Sequence, residues 1–167
     1  MSGIQMILTI GAMILLGSVI IMVNSNILTT EDVLYDSNFE ILATSISSSI
    51  IEEANKKYYD DATDTTVVTL KNDFTAPDDL GIETGEDPKD IQTWDDFDDF
   101  NGYTYSDSSM PSAIFDVKCE VVYVDPSDIN KASNSKEWSK KIIVKVSSVS
   151  MKDTIVQSSI FSYWWYL

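Results

Sequence analysis

Five oxygen-bearing side chains fall within seven residues of the stretch TWDDFDDFNGYTY (Thr93 to Tyr105): Asp95, Asp96, Asp98, Asp99 and Asn101. Carboxylates and an amide oxygen at this density suit a hard cation in donor type, calcium above all. The EF-hand frame does not fit. Aligning Asp99, Asn101 and Gly102 with its third, fifth and sixth positions puts Phe97 first and Ser108 last, and a phenyl ring ligates nothing. The composition favours a plainer reading, a solvated acidic loop pinned by Phe97, Phe100 and Tyr103. Calcium held by the four aspartates and Asn101 is the alternative.

Little else in the chain suggests bond-making chemistry. There is no His, no Gly-rich phosphate loop and no G-x-S-x-G elbow. Cys119, the only cysteine, sits in an apolar alternating stretch where a small buried hydrophobe serves equally well. Paired carboxylates occur between residues 71 and 108, but a glycosidase-like pair needs a fixed separation and a cleft. The expectation is therefore no catalysis and no obligatory cofactor. With 27 acids against 11 bases and a net charge of -16, the surface repels nucleic acid, which is excluded as a partner.

The acidic stretch lies inside a longer segment, 71–108, with 12 acids against Lys71 and Lys89 and with Pro77, Gly81, Gly85, Pro88 and Gly102 as breakers. It reads as a long, mostly irregular surface loop. Trp94, Phe97, Phe100, Tyr103 and Tyr105 make it too aromatic for simple disorder. A β-rich region, 112–167, follows. In AIFDVKCEVVYV, Phe115, Val117, Cys119 and Val121 alternate with Asp116, Lys118 and Glu120; KKIIVKVSSVS and KDTIVQSSIFSYWWYL supply two further runs. The pattern predicts an antiparallel meander of three strands, with Thr66–Leu70 as a fourth. The closing Tyr163, Trp164, Trp165 and Tyr166 read as an aromatic last strand.

Such a sheet needs an apolar cover. From Thr30 to Tyr59 apolar residues recur as Tyr35, Phe39, Leu42, Ile46, Ile50, Ala54 and Tyr58, one face of a helix, which Leu34, Ile41 and Ile51 widen. This predicts an amphipathic helix, 30–59, packed on the sheet, within a soluble head of residues 30–167.

Ahead of it, residues 1–29 contain no charged side chain, and Glu31 is the first ionisable one. From Met6 to Val23 only Thr9 and Ser18 are polar, and 18 helical residues cover roughly 27 Å, enough to cross a bilayer core. No basic residue precedes the run and Asn24-Ser25-Asn26 is not a small-residue cleavage site, so cleavage after this segment is not expected. Two arrangements stay open around residues 24–30: one continuous helix, or two, the second capped by Thr29 or Thr30 ahead of Glu31 and Asp32. The fold class is α+β: a long N-terminal helix, spine first and amphipathic half second, on a C-terminal antiparallel sheet of three to four strands.

An uncharged apolar N-terminal segment, running into an amphipathic helix and then a β-rich domain, resembles the type IV pilins and pilin-like proteins. The resemblance implies a subunit of a surface filament that is first inserted in the inner membrane. It also implies partners: copies of itself, a prepilin peptidase and a pilus assembly machinery. The assembly surface it implies comprises Met1, Gln5, Ile7, Leu8, Gly11, Leu15, Gly17 and Ile20, with small residues allowing close helix approach. Pilins carry Glu at mature position five, where it meets a neighbour's amine. Counted from Met1 that position is Gln5, and counted from after Gly3 it is Leu8. The rival reading is a membrane-anchored extracytoplasmic binding module, or a minor pilin or pseudopilin, whose acidic-aromatic loop takes a cation or ligand.

Overall fold

The computed structural model describes residues 2–109 and 113–163, with Thr29 and Asp32 through their backbone alone. The chain divides into two compact units, Met1–Asn38 and Phe39–Leu167.

One helix, α1 (Gly3–Ala54), runs without interruption through residues 24–30, which settles the choice between one helix and two. Thr30 is no cap: its hydroxyl donates to the Asn26 carbonyl one turn back, 2.8 Å away, as a mid-helix threonine does. Within the first unit every described side chain from Ile4 to Leu28 is exposed apart from half-buried Gly17. This part of α1 is long and apolar enough to cross a membrane.

In the second unit the remaining turns of α1 cover the sheet. Ala43, Ser47, Ile50 and Ala54 are buried, with Phe39, Leu42, Ile46 and Ile51 packed beside them. The buried line is thus shifted from the stripe expected. Leu34, Tyr35 and Ile41 all face solvent, and so does Tyr58. The helix also stops earlier than residue 59. After Ala54 the bonding tightens to three-residue turns (Lys56 N–H to Glu53, Lys57 N–H to Ala54). The Tyr58 backbone then leaves the helical pattern to pair in parallel with Asp96. Periodicity carried the apolar pattern to Tyr58, but tertiary pairing claimed its N–H and carbonyl.

The antiparallel sheet has five strands: β1 (Thr104–Asp107), β2 (Phe115–Asp125), β3 (Asp128–Ala132), β4 (Ser139–Ser147) and β5 (Ile155–Ser162). They lie in the order β1-β2-β4-β5, with β3 paired to the end of β2. The three-strand meander is β2, β4 and β5, and β1 and β3 enlarge it. Strand β2 alternates as expected, with Phe115, Val117, Cys119, Val121 and Tyr123 buried. Thr66–Leu70 is not a strand. A short helix, α2 (Ala62–Thr65), precedes it, and the Val68 N–H is taken by the Tyr163 hydroxyl at 3.0 Å instead of by a neighbouring strand. Tyr163 itself is buried against Tyr59, Phe74 and Trp138. The rest of the aromatic terminus, Trp164 to Tyr166, lies outside the described residues.

Candidate functional site

The acidic stretch is not a solvated loop. Trp94, Phe97 and Phe100 recur every third residue and all three are buried. Trp94 meets Phe100 edge-on at 4.9 Å, and Phe97 packs on Phe161 at 5.2 Å. Rings at that spacing pull the whole backbone inward, and Asp96, Asp98 and Asp99 follow them to complete burial, each at 0% exposure. Burying an ion is costly unless it is paired and hydrogen-bonded, so the partners of these carboxylates decide what the site can do.

Backbone amides fix part of the set. The Asp98 and Asp99 N–H groups donate to Asp96 Oδ1 at 2.7 and 3.2 Å, and the Asp95 and Asp96 N–H groups donate to Asp99 Oδ2 at 3.1 and 2.9 Å. The short 3-10 turn Asp98–Phe100 makes this reciprocal pattern possible. Asp98 points the other way, to the ammonium of Lys140 on β4, which also donates to Asp60 Oδ2 and to the Tyr59 carbonyl, both at 2.8 Å. Burial works against the Lys140 ammonium, but the carboxylates of Asp98 and Asp60 outweigh it and hold its pKa above the ordinary range. It is a buried counterion and not a free amine. Asp60 is further tied to the Thr75 backbone N–H and lies 3.3 Å from the Tyr123 hydroxyl.

Two carboxylates that short-range spacing could not reveal complete the cluster. One oxygen each of Glu83, Asp96 and Asp98 lie within 4.8 Å of one another, and the same is true of Glu83, Glu86 and Asp99. Glu86 accepts from the Glu83 N–H at 2.9 Å and the Asp95 N–H at 3.2 Å, which seats the 83–86 turn against the 95–99 segment. Four buried oxygens of this set have no hydrogen-bond partner among the described residues: Glu83 Oε2, Asp96 Oδ2, Asp98 Oδ2 and Asp99 Oδ1. Burial, reinforced by neighbouring carboxylates, raises Glu83 to about 7, Asp96 to about 8 and Asp99 to about 9, and raises Asp98 as well.

Of the five residues expected to bind a cation, the fold brings three together, Asp96, Asp98 and Asp99. The Asp95 side chain is exposed and outside both triads. Asn101 is spent at both ends, its Nδ2 donating to the Leu80 carbonyl at 2.9 Å and its Oδ1 accepting from the Val121 N–H at 3.0 Å, so it staples the loop to β2. Sequence gives no signal for Glu83 and Glu86. Lys140 does leave one, since it alternates in phase with Ile142, Val144 and Val146 and must share their inward face.

The second candidate set lies on the first unit. Ile7, Leu8, Gly11, Leu15 and Ile20 are all exposed, Gly17 is half-buried, and Gln5 Oε1 accepts from the Ser2 N–H at 3.2 Å within its own first turn. Met1 lies outside the described residues. A Cβ built on Gly3, Gly11 or Gly17 would meet nothing within 4 Å, so the chain's own packing does not require these glycines. The few polar side chains of the segment are satisfied locally: Thr9 donates to Met6 O at 2.9 Å and Ser18 to Leu15 O at 2.8 Å.

No family model, no curated protein and no solved structure matches the chain.

Proposed function

We propose that the protein is a structural subunit of a pilin-like surface filament, inserted in a membrane before assembly and polymerising through residues 4–23 of α1. One observation carries this reading. The segment has no charge, no side chain buried by its own fold, and hydroxyls turned back onto its own carbonyls. Such a surface asks for a dry environment, and its Thr9 and Ser18 hydroxyls bring no unpaired donor into it. Glycines that the chain itself does not need leave flat places where a second helix can approach closely. Copies of the segment packed together would remove most of its apolar area from water, at about 25 cal/mol per Å² before the ordering cost.

The helical course of residues 4–23 supports the same reading, because a helix satisfies its own backbone groups in a dry environment. In this reading the acidic second unit forms the outer surface and carries no catalytic role.

Negative-stain microscopy of the full-length chain after detergent removal tests the proposal. Ordered filaments are expected from the wild type and none from Leu15→Asp or Ile20→Asp. A wild-type chain that stays monomeric in detergent and forms no polymer in lipid would favour the anchored binding module instead. Filaments unaltered in Leu15→Asp would overturn the assembly surface.

A further inference from the structure

The buried cluster in the second unit gathers more carboxylate oxygens than its own fold has donors and cations to satisfy. Glu83, Glu86, Asp96, Asp98 and Asp99 converge from two stretches of chain. Lys140 pairs with Asp98 and Asp60, and the four partnerless oxygens all belong to residues of the two triads. We propose that Glu83, Asp96, Asp98 and Asp99, with Glu86 closing the outer side, hold a calcium ion that clamps the 83–86 turn onto the 95–99 segment.

Three features argue for a cation over shared protons. The donors are already oriented: Asp96, Asp99 and Glu86 each spend one or both oxygens on backbone N–H groups, bonds that favour the ionised form. Ligands held this way lose little freedom when an ion binds. The partnerless oxygens are buried, where an unmatched acceptor is expensive, and a divalent ion satisfies several at once. The donor set is oxygen alone in a chain without histidine, which disfavours zinc and copper. Between the hard cations, calcium takes six to eight oxygens in irregular geometry, whereas magnesium demands a near-ideal octahedron and keeps much of its water. A crowded, largely dehydrated group of carboxylates fits the first.

The clamp joins residues more than ten positions apart, and the intervening chain, from 87 to 93, includes exposed Lys89. Without the ion, that connection loses its bridge and rests on hydrogen bonds such as the one from the Asp95 N–H to Glu86.

Calorimetric titration of the full-length chain in detergent, stripped of metal and then titrated with calcium chloride, tests this directly. One ion per chain is expected, with an affinity no weaker than about 1 mM. Glu83→Gln, which removes the residue common to both triads, should weaken binding at least tenfold, and Asp153→Asn, exposed in the loop between β4 and β5, should leave it unchanged. Tryptic cleavage after Lys89 in the wild type should accelerate several-fold in a chelator and slow again with calcium. This readout needs no variant to fold. Absence of saturable calcium binding, or equal affinity in Glu83→Gln, would overturn the proposal; so would a cleavage rate indifferent to calcium. None of these measurements depends on polymerisation, so the filament reading can fail while the clamp stands.

Discussion

The first turns of α1 and the acidic cluster are both unfinished in the single chain, but in opposite currencies. Residues 4–28 present apolar surface with nothing over it, whereas residues 83–99 bury carboxylate oxygens with too few donors and cations to satisfy them. Apolar surface is undemanding: area is what matters, and a bilayer or other copies of the helix would cover it equally well. Buried charge is selective, since only a partner of the right sign, size and donor preference relieves it. The spine therefore defines the kind of environment, and the cluster defines a particular ligand.

Breaking the first side of this contrast has the largest expected effect. A single aspartate at Leu15 or Ile20 places a charge at the middle of the apolar run, costing about 2.5–3.5 kcal/mol per chain on membrane insertion. In the proposed filament the cost would recur in every subunit, and membrane partitioning in flotation assays should fall sharply.

Breaking the second side next calls for Lys140→Met. Removing the ammonium leaves Asp60 and Asp98 buried without their counterion, a loss of about 3–5 kcal/mol in urea unfolding of the second unit, with polymer formation impaired only through stability. A loss below 1 kcal/mol would mean that water, and not lysine, compensates these carboxylates.

A smaller effect belongs to Ser47, whose hydroxyl sits 2.5 Å from Gln157 Oε1 where the helix crosses β5. Ser47→Ala leaves that acceptor to Ser48 alone and should cost about 1–2 kcal/mol. It separates helix docking from the charge cluster, because calcium affinity should not change. The smallest signal is at Cys119, where burial pushes the thiol up to about 12. Because the pKa is raised, the unreactive protonated form persists far above neutrality. At pH 8 only on the order of one thiol in ten thousand is ionised, and iodoacetamide should label the native chain negligibly and the unfolded chain readily.

Much of the fold was legible because it rests on periodicity. The alternation of Phe115, Val117, Cys119 and Val121 reports a half-buried strand whatever its neighbours are, and the three- and four-residue steps from Phe39 to Ala54 report a helix. Failures came where backbone pairing overrode side-chain pattern. Tyr58 continues the helical stripe, yet its N–H and carbonyl pair with Asp95 and Phe97. Thr66–Leu70 is rich in β-branched residues, yet a tyrosine hydroxyl is the partner of Val68.

The cluster was half legible for a related reason. Local density revealed Asp96, Asp98 and Asp99 but also admitted Asp95 and Asn101, which the turn faces elsewhere. Its contacts to Glu83, Glu86 and Lys140 are set by the tertiary fold. Phe97 and Phe100 read as pins for a solvated loop, but together with Trp94 their three-residue spacing is the sign that the acids between them go inside.

Lys140 has a consequence for timing. Asp60 and Asp98 precede their shared counterion by 80 and 42 residues, so a chain emerging from its N-terminus presents both acids long before the lysine that neutralises them. Until β4 arrives, water solvates those carboxylates better than a nascent interior can, and the segment around Phe97 gains nothing by sinking early. The second unit must therefore close late, after most of it has been delivered. The apolar spine, by contrast, takes no contact from downstream residues to complete its exposed surface.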